Sequence, residues 1–572
     1  MKNIQVYQKS SSLWEKFLDL NPQLFREVKG KLKTKNIVIT TAISAIAQFF
    51  IVICFLGELP KYDPDNLLEE QYGRYAMGID RYSPYTKDML DNWVVNWQLL
   101  WLDLFMALSI LAVFSLLIVG TYMLVADTVK EESRGTLNFI RLTPQSAGSV
   151  LLGKILGVPV LLYVAVLLLL PLQMVAGFSA RIPIALIVSF NAVIIASCAL
   201  CYCLALLWSL VNFGGSGFKP WLASGAVGLL LTFLTTVSFH NHLISNALWD
   251  WLLLFNPGIV LTYLIEATSL SLNKIEFVPV ENLGELLFYG QALWTKASFG
   301  IGFILFNFSL WTYWCWSVLK RRFHNPTNTL FSKTQSYWIT GWFSVIALGF
   351  TLQGRLMYLS IANNFVCLQF CLCTLGLVLI AALSPHRQGL HDWARYRHQI
   401  NKDGNILWKE LVFGENSPSG VAIAINIAIA IIYITPSIFL FLQDDKQHIF
   451  WGFVLSGLSI LVCGLVAQLI LTLKTRKRAV WSAIAVFSMI VVPPVCLGFA
   501  GVYPNNTPQL WLFGFLPTVA TEYATISAIM LAILGQVVAV SLIGLQTTKI
   551  LKQAGKSETK ILLESKKISS SF

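Results

Sequence analysis

Residues 37–56 read IVITTAISAIAQFFIVICFL, an unbroken apolar run with no charged side chain. About 20 such residues, rising roughly 1.5 Å each, carry a helix across the ~30 Å hydrocarbon core of a bilayer. A barrel strand would alternate apolar and polar residues, and this run does not. The surrounding composition agrees. Of the 572 residues, 56% are hydrophobic and 12% charged, against roughly 25% charged in an ordinary soluble domain, and the mean hydropathy is +0.66. The chain reads as an all-α polytopic membrane protein.

Residues 1–36 are largely polar, too long and too mixed for the charged region of a signal peptide, so the first span is expected to stay in place. Further apolar runs at 104–125, 156–175, 184–211, 221–237 and 299–318 complete a set of six. A second set lies at 338–352, 365–383, 421–442, 450–473, 479–500 and 526–545. The expectation is about twelve spans in two six-helix bundles, residues 37–320 and 338–548. Around them lie a cytoplasmic tail (1–36), a cytoplasmic linker (321–337) and a basic cytoplasmic tail (549–572). The net charge of +12 gathers beside spans, in KGKLKTK (Lys29 to Lys35), KRR (Lys320 to Arg322), HRQGLHDWARYRHQINK (His386 to Lys402) and KTRKR (Lys474 to Arg478). These are orientation signals and headgroup contacts, which place both termini inside; no basic groove with base-stacking aromatics points to nucleic acid. The outer loop 58–98 is acidic by contrast, and Trp93, Trp97 and Trp101 step along one helical face as an interfacial belt. The ten cysteines lie mostly in apolar runs; Cys198 and Cys201 have no second pair or histidine nearby and read as small apolar filler.

Local patterns recur in order in the two halves. Asn21-Pro22 caps an amphipathic helix whose Leu24, Phe25, Val28 and Leu32 share a face beside a basic one, as in a helix lying among headgroups, and Asn325-Pro326 precedes the seventh span. WLLLFNP (Trp251 to Pro257) is matched by WLFGFLP (Trp511 to Pro517). Both are short and Pro-broken, hence re-entrant candidates, the first within segment 247–270. The loop after the second span (127–149) has a counterpart after the eighth (385–420) in LWKELVFGENSPSG (Leu407 to Gly420). A six-plus-six duplication is the expectation. A competing register makes ILWKELVFG a second interfacial helix feeding the ninth span.

Between the second and third spans stands KEESRGTLNFIRLTPQS (Lys130 to Ser146). Gly135 and Pro144 bracket a helix of about two turns, with Leu137, Ile140 and Arg141 on one face and Phe139 and Leu142 adding apolar surface. A stiff rod fixed between two spans transmits force if something soluble grips it. The stretch EESRGTLNFIRLTPQSAGSVLLGK (Glu131 to Lys154) resembles the loop of type-2 ATP-binding-cassette (ABC) exporter permeases: an acid, three residues, Gly-Thr-Leu, then Leu-Thr-Pro-x-Ser and Gly-Lys. Matching positions are Glu131, Gly135, Thr136, Leu137, Leu142, Thr143, Pro144, Ser146, Gly153 and Lys154. Where that family carries further acids, this chain has Ser133 and Arg134. The likeness extends loosely over the first 320 residues and thins thereafter.

The resemblance implies a coupling helix docking on separate ATPase subunits, with Leu137, Phe139, Ile140 and Leu142 in apolar contact, Glu131 and Arg134 in charge pairing and Gly135 in the turn. It implies an exporter permease in a bacterial-type plasma (inner) membrane, with ATP hydrolysis on a partner and no cofactor of its own. Trp408, Glu410, Ser417 and Pro418 form a candidate second coupling loop.

GSVLLGKI (Gly148 to Ile155) has phosphate-loop spacing up to Gly-Lys, but Ile155 replaces the hydroxyl residue that would hold magnesium and a span begins there, so Lys154 is expected to snorkel to headgroups. No zinc-protease motif or nucleophile elbow occurs; His240-Asn241-His242 reads as interfacial polarity. Asp103 and Glu266 are candidate substrate-path acids, since charge at membrane depth is costly. Gln48, Asn191, Gln369, Asn426 and Gln536 either line a cavity or bond helix to helix. Two other functions stay open: a membrane-embedded enzyme on lipid-linked substrates, which calls for convergent carboxylates or a metal cluster, and a scaffold that does not transport.

Overall fold

In lipid, a backbone without water must satisfy its own hydrogen bonds, and a long apolar segment does so as a helix. The computed structural model describes residues 21–59, 75, 94–211, 217–239, 247–266, 268, 283, 286–353, 358–400, 404–442 and 445–555. Helices dominate. In the first half they are α1 (Pro22–Lys31), α2 (Thr34–Gly57), α3 (Trp97–Phe114), α4 (Gly120–Ser133), α5 (Thr136–Arg141), α6 (Ala147–Gly157), α7 (Val160–Leu167), α8 (Leu170–Ser179), α9 (Ile184–Ser209) and α10 (Lys219–Phe239). Then come α11 (Asp250–Leu253), α12 (Ile259–Glu266), a two-stranded hairpin of β1 (Leu287–Phe288) and β2 (Gln291–Ala292), and α13 (Ala297–His324). The second half holds α14 (Lys333–Thr351), α15 (Tyr358–Leu383), α16 (Arg387–Ile400), α17 (Gly404–Phe413), α18 (Gly420–Phe441), α19 (Lys446–Leu471), α20 (Arg478–Phe499), α21 (Pro508–Trp511), α22 (Thr518–Tyr523) and α23 (Ile526–Gly555). The chain divides into two compact units between Pro326 and Thr327, with Asn246–Asp250 and Leu287–Gln291 grouped with the second.

Ten helices among the described residues are long and apolar enough to cross a membrane. The chain is an all-α polytopic membrane protein. The ten cover the expected spans one to five and eight to twelve. The expected sixth and seventh are continuous helices, α13 and α14, yet are not among the ten. Polar and amphipathic residues account for this: α13 carries Asn307, Trp311, Thr312, Tyr313, Trp314 and Trp316 along its length, and α14 opens on Lys333, Thr334, Gln335 and Ser336. Helices also outrun the apolar runs. The last reaches Gly555, so the segment expected as a tail from 549 begins inside a helix.

The second span is the longest, running through α3, a π-helical turn (Ser115–Val119) and α4 to Ser133. Its 37 residues extend about 55 Å at helical rise, well beyond the ~30 Å apolar core, which projects the α4 end out of the lipid. The wide turn has a visible partner: Tyr202 Oη on α9 donates to Leu116 O at 2.8 Å. Gly120 leaves room for that ring, because a Cβ there would lie 2.2 Å from Tyr202 Oη.

Within the second unit, Gly376, Gly457 and Gly464 let α15, α18 and α19 approach closely around Ile380, Ile423 and Ile460. Asn426 on α18 bonds across to α14, donating to Ser336 Oγ at 2.9 Å and accepting from Thr340 Oγ at 2.8 Å. Gln369 donates to Gly452 O at 2.9 Å, and Gln48 bonds Ser44 Oγ and Leu168 O, both at 3.2 Å. Asn191 stays within its own helix, donating to Ile187 O.

Candidate functional site

The segment singled out above lies at the α4 end of the first unit and is built from three helices. Asn21 caps α1 by accepting from Leu24 N at 3.2 Å, and its Nδ2 donates to Ser149 O at 2.7 Å. That bond ties α1 to α6. Contact there is close because α6 carries glycine: a Cβ on Gly153 would lie 2.9 Å from Leu24 N, and one on Gly157 2.5 Å from Glu27 Cβ.

An ionic knot fills the join. Lys154 on α6, 1% exposed, places Nζ 2.7 Å from both Asp127 Oδ2 and Glu131 Oε2 on α4. Glu131 Oε1 accepts from Arg26 at 2.6 Å, and Arg26 reaches Glu27 at 3.1 Å. Glu27 closes the circuit on Lys31 at 3.0 Å. Burial alone would raise Glu27, but Lys31, Arg26 and Lys154 outweigh it and hold the carboxyl below its ordinary range. Burial likewise pulls Arg26 down, and bonding to Glu27 and Glu131 lifts it above its ordinary value. The carboxylates of Glu27, Asp127 and Glu131 converge closely enough to hold a metal ion. Here the Lys154 ammonium bridges two of them.

One expectation is corrected. Lys154 does not snorkel to headgroups: its ammonium has two carboxylates of its own chain to pair with, which a buried charge favours over a distant interface. Glu131, which the resemblance implied for charge pairing with a partner, pairs here with Arg26 and Lys154 of its own chain.

α5 hangs from this knot. Gly135 adopts φ +72°, the left-handed turn that a side chain resists, and Thr136 Oγ bonds back to Glu131 O at 3.1 Å. At the other end Thr143 Oγ donates to Ile140 O at 2.6 Å, and Ser146 caps α6. Leu137 and Ile140, which the resemblance implied for partner contact, are buried against their own chain and anchor the rod. Phe139 and Leu142 point outward, 76% and 85% exposed. Arg134 and Pro144 are also exposed. Arg141 lies over the Phe323 ring of α13, 5.5 Å from its centroid, and burial, with Arg322 nearby, lowers its pKa. The geometry predicts that Gly135→Ala lowers thermal stability by about 1 kcal/mol through the left-handed backbone alone; open space around the position removes any steric contribution.

The candidate second coupling loop is built differently. Trp408 is exposed, but Glu410 accepts from Trp393 Nε1 at 3.0 Å and Ser417 is fully buried. Lys333, at the start of α14, donates to Leu411 O and Ser417 Oγ at 2.6 Å and to Pro418 O at 2.9 Å. Tyr337 Oη adds a bond to Val412 O at 2.7 Å. Glu410, Ser417 and Pro418 are thus tied within their own chain. Helix order sets α17 directly before α18, as α1 precedes α2, and Leu407-Trp408-Lys409-Glu410 repeats Leu24-Phe25-Arg26-Glu27 in character. That order fits the competing register.

Of the candidate path acids, Asp103 accepts from Tyr75 Oη at 3.0 Å, and Tyr75 is wholly buried. α12 ends at Glu266, whose side chain lies outside the described residues, as do His240-Asn241-His242, Trp93 and most of the loop 58–98 that was expected outside. The knot itself went unread in the sequence, although Glu27/Lys31 and Asp127/Glu131 both carry the i, i+4 spacing that puts two charges on one helix face.

The chain matches no protein-family model, no curated protein and no solved structure.

Proposed function

We propose that the chain is the permease of an ATP-driven exporter of the type-2 ABC kind, in a bacterial-type inner membrane with both termini cytoplasmic, and that separate ATPase subunits grip it at α5. The observation carrying this reading is the division of α5 into an anchored and a free face. Leu137 and Ile140 hold it to the unit, while Phe139 and Leu142 present apolar surface outward. Force on that surface passes through Gly135 and Glu131 into α4, and through Lys154 and Arg26 into α6 and α1. A rod with these attachments moves two spans and an interfacial helix together, as a coupling element must.

The test is capture of a phosphate-loop ATPase with the chain purified from its own host's membranes. Phe139→Asp combined with Leu142→Asp is expected to reduce capture at least about tenfold while the melting temperature holds, because both side chains are exposed. Undiminished capture by the double variant, or no ATPase with the wild-type chain, overturns the reading.

A further inference from the structure

The second unit treats its buried amides unequally. Gln369 and Asn426 bond at both ends of their amides: Gln369 to Gly452 and Thr518, Asn426 to Ser336, Ala422 and Thr340. Gln536 on α23 does not. It is 5% exposed; its Nε2 donates to Ser459 Oγ at 3.1 Å, and its Oε1 is buried with no hydrogen-bond partner. An acceptor left empty at membrane depth is costly, since lipid offers it nothing.

Gln536 forms part of the wall of a recess of about 180 Å³ at mid-length of α19 and α20, lined also by Met489, Phe513, Phe515 and Gly535. Phe513 and Phe515 come from the Pro-broken WLFGFLP segment. Met489 and Gly535 are exposed, so the recess opens on the surface of two apolar helices, α20 and α23. In the Pro-broken segment of the first unit, Trp251 and Trp311 both donate to Asn307 Oδ1 on α13, at 3.2 and 3.0 Å, while Asn307 Nδ2 is buried without a partner. In the second unit Trp511 Nε1 donates to Val502 O at 3.2 Å.

An apolar cavity of about 150 Å³ stays dry and admits one benzene-sized molecule, whereas a water needs two to four polar partners. This wall is mostly apolar and has one free acceptor. We propose that the recess binds a membrane-resident alcohol or phenol, an apolar body with a single hydroxyl, whose O–H donates to Gln536 Oε1 while the body lies against Met489, Phe513 and Phe515. The proposal does not depend on the transport reading.

The test uses the full chain in detergent with 4-butylphenol and its methyl ether, 4-butylanisole, which has the same ring and tail but no donor. The phenol is expected to raise the melting temperature saturably and to bind about fivefold more tightly than the ether, the share of one hydrogen bond. Gln536→Leu is expected to erase that preference. Gly535→Leu, whose side chain starts 3.4 Å from the Phe513 ring and would fill the recess, is expected to erase both shifts. Equal binding of the two compounds to the wild-type chain, or no saturable shift with either, overturns the proposal even if Gln536→Leu does not fold. A phenol preference that survives in both variants overturns it too.

Discussion

Replacing Lys154 by methionine is expected to lower the stability of the first unit by about 3 kcal/mol, near the lower end of what removing one partner from a buried ion pair costs. Lys154 is 1% exposed and serves two carboxylates at once. Its loss leaves Asp127 and Glu131 facing Glu27 across a partly buried join. Partial exposure of Asp127, at 26%, keeps the figure from the top of that range. The measurement is thermal or denaturant unfolding in detergent, with limited proteolysis between α1 and α2 reporting release of the interfacial helix. Adding Glu131→Gln to the methionine variant is expected to recover part of the loss, because one unpaired charge disappears. A change below about 0.5 kcal/mol, the level of an exposed pair, would show that the knot is solvated.

Lys333→Met is expected to cost a comparable amount, about 3 kcal/mol, by a different route. Among the described residues no carboxylate pairs with this lysine; its ammonium donates to three oxygens of the 411–418 segment. Methionine leaves buried acceptors without a donor, each worth about 1–3 kcal/mol. Lys333 precedes the apolar part of α14, and burial pushes its pKa down to about 8 from an ordinary 10.5. A lysine lowered on folding is a penalty below its folded pKa, because the unfolded chain then holds the proton more willingly. Stability is therefore expected to rise with pH between about 8 and 10.5 as the folded form sheds its proton. The wild-type melting temperature should climb over that window relative to Lys333→Met, in which this contribution is gone. A difference that does not change with pH would place the ammonium in contact with solvent.

These two lysines also mark where sequence reading stops. The spans were legible because a run such as residues 37–56 has one physical solution in lipid. Gly135, Pro144 and the apolar pair Phe139 and Leu142 were legible because turn chemistry and helical period act locally. Which side of α5 faces inward was not, since Leu137 and Ile140 differ from Phe139 and Leu142 only in what packs beneath them. Lys154 read as one more flanking cation, because its partners lie 23 and 27 residues earlier on another helix. Lys333 was equally opaque: its acceptors are chiefly backbone carbonyls, which no residue letter encodes. Gln536 was legible as a polar residue within a span, but not which end of its amide is met: Ser459, 77 residues earlier on another helix, takes the nitrogen and no described residue takes the oxygen.

The wide turn at Ser115–Val119 has a consequence for how motion would travel. One surplus residue in a turn displaces everything after it by about 100° around the helix axis. The α3 part of this span, with Leu104, Phe105 and Leu108 buried, and its α4 part, with Leu124 and Thr128 buried, therefore hold different azimuths. Were the turn to rewind to regular pitch, the α4 part would swivel as a crank and swing Asp127 and Glu131 off Lys154, while the α3 part kept its seat. Tyr202 latches the crank at Leu116. Tyr202 and its neighbour Cys201, which bonds Leu117 O and Thr121 Oγ, thus stand between a span that moves as one piece and one that moves as two.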